Sequence, residues 1–410
     1  MTFEYRRILI LVSIFLTILT IFLIFNKLTI NIYADNDTSP MITIISPEKD
    51  SVKSGEVEVR FEVIDKESKI EIVSIRIDDK LCEVNAGNFK KKKHLEYKLS
   101  LDTTKLKEGK HILTISASSS KGKKTSSESQ IFYVDNLPLE AKLVVGKIKV
   151  YPGSTIPLQL LLSEQADVIS AEIFDYSINL FQTEDGYKAF IPIRLSIEPG
   201  TTDFKVVLRD NLDKEVVLTT QIVIAPKEYI SEYIVLPEIK AKPIPKDVVE
   251  REYQLMLKKL EAPSSNLYET GAFIVPVSGK ITSPFGAYRK FSNNTTDRHT
   301  GIDFSCPEGT SIEACGSGIV CMTGTFAVRG NFVMIDHGWG LFSIYNHMSE
   351  ILVKEGDYVQ KGTIIGKVGS TGLATGPHLH WEVRIGRWVV DPLQLTDKKI
   401  FDELGLSKTE

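Results

Sequence analysis

The sequence predicts a mainly β protein: an N-terminal transmembrane helix, two β-sandwich domains, a short helical linker and a C-terminal all-β domain. Three observations carry this expectation. From Met41 to about Ala225, short runs alternate apolar and polar residues with a period of two, the pattern of half-buried strands. Between Pro226 and Ala262 the pattern changes to prolines followed by helical spacing. Beyond that, Gly316, Gly318, Gly324, Gly330, Gly338 and Gly340 punctuate short strands.

The first element is the apolar stretch Ile8 to Phe25, interrupted only by Ser13, Thr17 and Thr20 and free of charge. It is long enough to cross a bilayer as a helix. Arg6 and Arg7 precede it, which places Met1 in the cytoplasm and the rest of the chain on the other side. A cleaved signal peptide is the rival: its apolar core is usually about 7–15 residues, and cleavage after Ala34 would put the bulky Ile32 at the third position back. The expectation is an uncleaved single-pass anchor within residues 1–40 in the inner, cytoplasmic membrane, with the bulk in the cell envelope on the periplasmic or outer side. Lys plus Arg is 49 and Asp plus Glu is 53, a formal charge of −4, too balanced to suggest a nucleic-acid partner. A chain of this length divides into several cores.

In residues 41–136, Val57, Val59, Phe61 and Val63 alternate with charged residues, as do Val73, Ile75 and Ile77, and Leu95, Tyr97, Leu99 and Leu101. The stretch Glu108 to Ile115, followed by Tyr133-Val134-Asp135, resembles bacterial Ig-like envelope domains. The Lys90 to Lys93 run reads as a basic loop. A second β domain follows over 137–225, with Ile191-Pro192-Ile193 and Glu198-Pro199-Gly200 suggesting edge strands. In the linker, 226–262, Pro237, Pro243 and Pro245 give a stiff start. Asp247 and Glu250 then have capping-box spacing, and Val249, Tyr253, Met256, Leu257 and Leu260 make one apolar stripe that packs on an adjacent domain.

The chemistry is concentrated in residues 263–400. His378-Leu379-His380 is an H-x-H triplet, and residues two apart on a strand point to one face. Upstream, His299 and Asp303 form H-x-x-x-D, and His347 lies between the two motifs. A divalent metal needs such N and O ligands converging from different segments, with one position open. His299, Asp303 and His380 could supply three, leaving His378 beside the open position as a proton donor or acceptor. The chain has seven His, and four of them fall in these motifs; His94 and His111 receive no role, and His337, before a Gly turn, reads as structural.

These residues resemble the lysostaphin-type (M23) family of zinc metallopeptidases. The resemblance runs from about Phe273 to Leu395 through Ser283-Pro284-Phe285-Gly286, His299-Thr300-Gly301-Ile302-Asp303, Tyr345-Asn346-His347 and Gly376-Pro377-His378-Leu379-His380-Trp381-Glu382. It implies zinc on His299, Asp303 and His380, with His347 and His378 as catalytic residues that hold the water and the reacting carbonyl, and a duplicated-hairpin all-β fold. Residues 137–225 look like the β domain that often precedes such peptidases, a second Ig-like sandwich that positions the catalytic domain or covers its groove. Residues 401–410 read as a tail. Zinc lowers the pKa of a water it holds from 15.7 to about 7, and imidazoles at His347 and His378 can stabilise the charge that develops on the carbonyl oxygen. There is no H-E-x-x-H helix, so a Glu-base mechanism is not expected. Glu382 could orient a ligand or face solvent.

The implied function is a zinc-dependent endopeptidase that hydrolyses peptide cross-links or stem peptides of bacterial peptidoglycan. The alternative is a non-hydrolytic wall-binding regulator or activator of other wall hydrolases, because some family members have lost ligands. Lys354 to Gly362 also has the turn character of biotinyl and lipoyl carrier domains, which would not need both histidine motifs. Of the four cysteines, Cys306 could pair with Cys315 or Cys321, or all could be buried thiols; no C-x-x-C spacing suggests a second zinc site.

Overall fold

The structure, a computed structural model, describes residues 39–82, 92–120, 124–146, 149–235, 244–292 and 294–406. The expected anchor Ile8–Phe25, Lys90 and Lys91 of the basic run, and Pro237 and Pro243 of the linker lie outside them. Among the described residues no helix is long and apolar enough to cross a membrane. The chain divides into two compact units after Pro138.

The first unit is a β sandwich. Its strands are β1 (Met41–Ser46), β2 (Val52–Lys53), β3 (Glu56–Ile64), β4 (Ile70–Ile77), β5 (Lys80–Cys82), β6 (His94–Asp102), β7 (Gly109–Ser119) and β8 (Thr125–Val134). They form a three-stranded sheet, β1-β3-β6, and a five-stranded sheet, β2-β8-β7-β4-β5. The period-two runs explain the packing: Val59, Phe61 and Val63 from one sheet meet Ile75, Leu113, Ile115 and Phe132 from the other in a single core.

The second unit begins with another sandwich of β9 (Ala141–Val145), β10 (Thr155–Leu162), β11 (Asp167–Ile173), β12 (Tyr176–Ser177), β13 (Phe181–Thr183), β14 (Gly186–Pro192), β15 (Gly200–Arg209) and β16 (Glu215–Ile224). Its sheets run β13-β14-β10-β9 and β12-β11-β15-β16. Pro192 lies on an interior strand, contrary to the edge expected for it. It is tolerated because β13 pairs only with Gly186 to Lys188, so Pro192 at the far end of β14 has no neighbour on that side to receive an N–H.

The rest of the unit comprises β17 (Ser231–Ile234), helix α1 (Lys246–Leu260), β18 (Lys280–Ser283), β19 (Tyr288–Phe291), β20 (Thr296–Arg298), β21 (Ile302–Ser305), β22 (Ser311–Glu313), β23 (Gly318–Phe326), β24 (Gly330–Gly338), β25 (Leu341–Ile351), β26 (Tyr358–Val359), β27 (Ile364–Val368), β28 (His378–Ile385), β29 (Trp388–Val390) and helix α2 (Lys399–Asp402). The large sheet runs β18-β21-β28-β25-β24-β23-β26, with β22, β27 and β29 attached to it.

Three expectations need correction. Residues 226–262 are more than a linker: Ser231–Ile234 pairs in parallel with Tyr288–Phe291, making a three-stranded sheet with β20. The capping box does not form, because the cap residue is Pro245, which has no side-chain acceptor, leaving Asp247 in the first turn to meet the helix dipole. Residues 401–410 are not simply a tail, since Phe401 is fully buried and Leu404 with it. The apolar stripe of α1 packs as expected through Met256, Leu257 and Leu260, which bury against Met322, Phe332, Met334, Phe342 and Ile344 of the large sheet. Each contributes roughly 1.5–3 kcal/mol of burial. Val249 and Tyr253, on the same stripe two turns and one turn earlier, stay exposed.

The second sandwich and the large sheet share a core. Phe190 of β14 packs edge-on against Phe401 at 5.8 Å, and Phe181 of β13 stacks on Trp339 at 6.0 Å. Tyr176 lies 5.1 Å from Trp388, with the Arg194 guanidinium over both rings. Polar ties run alongside: the Tyr151 hydroxyl and Lys227 Nζ both donate to Asp391 Oδ2, at 3.2 and 3.1 Å, and Thr155 N donates to Gln394 Oε1 at 2.7 Å.

Candidate metal centre and active site

Adjacent strands deliver most of the site. In the pairing of β21 with β28, Asp303 stands opposite His380 and Ser305 opposite His378; across β25 and β28, Asn346 stands opposite His380. His299 enters from the segment between β20 and β21, fixed by backbone hydrogen bonds in both directions with Ala287 and Gly286. Gly301, between the two upstream motif residues, is required by space: a Cβ there would lie 2.4 Å from the Trp381 carbonyl oxygen and 2.8 Å from His380 Nε2.

His299, Asp303 and His380 are all buried, and one ligand atom from each lies within 4.8 Å of the others. His299 Nε2 is 3.0 Å from Asp303 Oδ1 and 3.0 Å from His380 Nδ1, and His380 Nδ1 is 2.8 Å from Asp303 Oδ1. The outward-facing atoms are fixed as well. His299 Nδ1 donates to the Pro284 carbonyl at 2.9 Å, which directs Nε2 to the centre. His380 turns Nε2 towards Glu382 Oε2 at 3.6 Å. Asp303 Oδ2 accepts from Arg289 Nη2, and Arg289 Nε in turn donates to Glu232 Oε2 at 3.3 Å. Two imidazoles and one carboxylate, each oriented by a further partner, are the donor set that suits a divalent ion such as zinc.

The electrostatics follow from this crowding. Burial works against the Asp303 carboxylate, yet the hydrogen bonds from His299 and His380 hold its pKa well below the usual range. Burial pushes the His299 pKa down, while for His380 the opposing pull of Asp303 and Glu382 outweighs burial and raises it. Glu382 has no solvent-facing role: it is fully buried between Arg329, Arg384 and the Thr300 hydroxyl, which donates to it at 2.6 Å.

His347 and His378 complete the cleft, with ring centroids 4.7 Å apart. His347 sits at a bulge, where Asn346 and His347 together oppose one residue of β24, and its φ is +63°. A left-handed conformation at a non-glycine residue is strained and concentrates at working sites. Both rings donate Nδ1–H to backbone carbonyls, His347 to Thr371 at 2.9 Å and His378 to Gly376 at 2.8 Å. That tautomer leaves Nε2 of each as the acceptor. Burial is the main reason both have depressed pKa values, His347 down to about 3. His337 is elsewhere, buried and bonded to the Ser317 carbonyl and the Ser343 hydroxyl, as its structural reading expects. The four cysteines are free thiols, with Cys306 and Cys315 buried.

A cleft of about 380 Å³ opens over the site, walled by Val249 and Tyr253 of α1 on one side and Arg289, Arg298 and Arg329 among the residues on the others. No sequence signal marks the arginines, because Arg289 and Arg298 sit on the short paired strands β19 and β20 and Arg329 in the turn between β23 and β24. Glu232, in what reads as a linker, was equally hidden. Asn346 lines the cleft too, and its buried Oδ1 has no hydrogen-bond partner among the described residues.

Comparison with known proteins finds relatives over the stretch that carries these residues. Residues 297–392 match Peptidase family M23, and residues 40–115 match a Bacterial Ig domain. The DD-carboxypeptidase/endopeptidase Mpg of Neisseria meningitidis is 41% identical over 131 residues, which is 32% of this chain and 30% of Mpg. The peptidoglycan DD-endopeptidase ShyA of Vibrio cholerae is 47% identical over 85 residues, 21% of this chain and 20% of ShyA. The matches therefore span less than a third of either relative. Among solved structures, the catalytic domain of EnpA from Enterococcus faecalis is 38% identical, with 30% of this chain and 94% of that chain covered and a TM-score of 0.26. The catalytic domain of lysostaphin from Staphylococcus simulans is 32% identical, covering 29% and 93%, with a TM-score of 0.27.

Proposed function

This chain belongs to the lysostaphin-type M23 family, and from that premise we propose that it is a zinc-dependent endopeptidase that hydrolyses peptide cross-links or stem peptides of bacterial peptidoglycan. The observation that carries the proposal is the convergence of His299, Asp303 and His380 in one buried cluster, with the imidazoles of His347 and His378 beside it, 4.7 Å from each other. The activities for which Mpg and ShyA are named support the substrate class.

In this reading His299 Nε2, Asp303 Oδ1 and His380 Nδ1 hold the metal, which when bound supplies Lewis acidity towards a water and a peptide carbonyl. The chain's own groups do the rest. Arg289 and Glu382 fix the orientation of Asp303 and His380. His347 and His378, protonated on Nδ1, keep Nε2 as an acceptor, that of His378 4.0 Å from Asp303 Oδ1, and one of them accepts a proton from the attacking water. A C–O bond forms at the carbonyl carbon, the imidazolium stabilises the negative oxygen, and the proton passes to the amine as the C–N bond breaks. The depressed pKa of both rings keeps them neutral, and so able to accept, at ordinary pH. The uncharged stretch from Ile8 to Phe25 behind Arg6 and Arg7 supports a membrane-anchored enzyme working on the outer side.

The test is metal content together with new amine ends released from purified peptidoglycan. The reading expects about one zinc per chain and cleavage that a chelator abolishes. Bound zinc with no new amine ends would favour the wall-binding regulator instead.

A further inference from the structure

Arg298 directly precedes His299 and lines the same cleft as His299, His347 and His380. The other two arginines of the cleft are paired, Arg289 with Glu232 and Asp303, and Arg329 with Glu382. Arg298 makes no ion pair among the described residues, and its Nε and Nη2 are enclosed without a hydrogen-bond partner. Enclosed guanidinium donors left unmade are costly and call for an acceptor. The group is also held still: its central carbon lies 3.9 Å from the Tyr288 ring centroid and 4.7 Å from that of Tyr229. Tyr229 is itself fixed by donating its hydroxyl to the Pro152 carbonyl of the second sandwich. A planar cation clamped between rings and lacking an anion is suited to one ligand above others, a carboxylate.

Resting on the hydrolytic reading above, we propose that Arg298 is a specificity-determining residue that binds a free carboxylate on the carbon bearing the leaving amine. Such a carboxylate is present where D-alanine is joined to a terminal D-alanine or to the D-centre of a diaminopimelate. It is absent inside a glycine bridge, where the same carbon carries a neutral amide. The carboxylate lies two bonds from the leaving nitrogen, and Arg298 lines one cleft with His299, His347 and His380, so one bound peptide could engage both. The cleft then admits bonds by the charge beside them, and the selected class is D-alanyl bonds to an amino acid with a free α-carboxylate.

The experiment compares cross-linked muropeptides whose carboxylate at that centre is free or amidated, using the full zinc-loaded chain. The native chain is expected to prefer the free carboxylate by about 10–100-fold in kcat/KM, the range of a hydrogen bond to a charged group. In Arg298→Ala the ratio falls to near one, and Arg298→Lys keeps part of it. General damage to the fold would lower both rates and leave the ratio intact, so an unchanged ratio in Arg298→Ala overturns the proposal, as does a native ratio near one. A second measurement needs no turnover: acetyl-D-alanyl-D-alanine should bind the metal-free chain about 10-fold tighter than its C-terminal amide, and equal affinities overturn the proposal. If the zinc-loaded chain cuts nothing, the hydrolytic reading falls, and the binding comparison alone decides whether Arg298 is a carboxylate site.

Discussion

The two sandwiches upstream of the cleft are made from the same kind of strands and use their apolar surface differently. In the first, Phe61, Ile75, Leu113 and Phe132 face one another and close a core that belongs to that unit alone. In the second, Ile156, Leu158, Phe204 and Val206 close a similar core, but Phe190 is turned the other way into the core of the large sheet. Alternation along a strand sends one face inwards and leaves the other for a partner. The difference teaches that a repeated pattern of strands does not imply repeated independence. The first sandwich is a module; the second is part of the body that carries the site.

Removing a proposed metal ligand should test that division hardest. His299→Ala, Asp303→Ala or His380→Ala is expected to abolish zinc binding and reduce hydrolysis to background, while the first unit keeps its own thermal transition. Metal analysis and calorimetry check both halves, and full zinc occupancy in all three variants would remove the ligand assignment. The next effect is smaller. His347→Ala and His378→Ala should keep zinc and lower turnover by about 10²–10⁴-fold, the usual contribution of an acid–base group. Wild-type turnover on a cross-linked muropeptide in either variant would strip that residue of its role.

Two phenylalanines sharpen the comparison directly. Phe401→Ala and Phe132→Ala each empty a fully buried site and should cost about 3–5 kcal/mol. Phe401→Ala is expected to lower the transition of the second unit, sandwich and catalytic region together, and to reduce activity at elevated temperature. Phe132→Ala should lower only the transition of the first unit. Two separate transitions within residues 139–406 would show that the shared core does not couple them.

The smallest effect is one of pH. Burial pushes the pKa of His337 down to about 4, against an ordinary value of 6.5. As pH falls, the unfolded chain takes up this proton first. Stability of the second unit should therefore decline from pH 6.5 towards 4 and level off below it, by about 3 kcal/mol from this residue. His337→Gln should be less stable at neutral pH and flatten that slope in denaturant titrations from pH 4 to 7. A slope unchanged by the substitution would mean that the charge is borne elsewhere.

Much of this was legible in the chain. The period-two runs of the first sandwich bury the residues they indicate, and the five-residue constellation converges as the two histidine motifs imply. What escaped the sequence depends on distant pairing. Pro192 reads as an edge because nothing local reveals how short its neighbour β13 is. Phe401 reads as tail because a single aromatic near a terminus carries no period, and its burial is decided by Phe190, far away in sequence. Arg289 and Glu232 meet only because the segment after the second sandwich forms a strand beside β19.

The position of that strand, and of α1 after it, bears on how chains of this family could be recombined. Residues 297–392 are the part recognisable as the family's own, and they contain all three proposed ligands and both further histidines. Yet Tyr229, Glu232, Val249, Tyr253, Tyr288 and Arg289, which border or brace the cleft, all precede that stretch. A graft cut at the family boundary would move the reactive groups and leave behind part of the walls. The reactive groups and Arg298 thus travel together, while the rings that hold Arg298 still and the arginine that orients Asp303 come from the stretch before them.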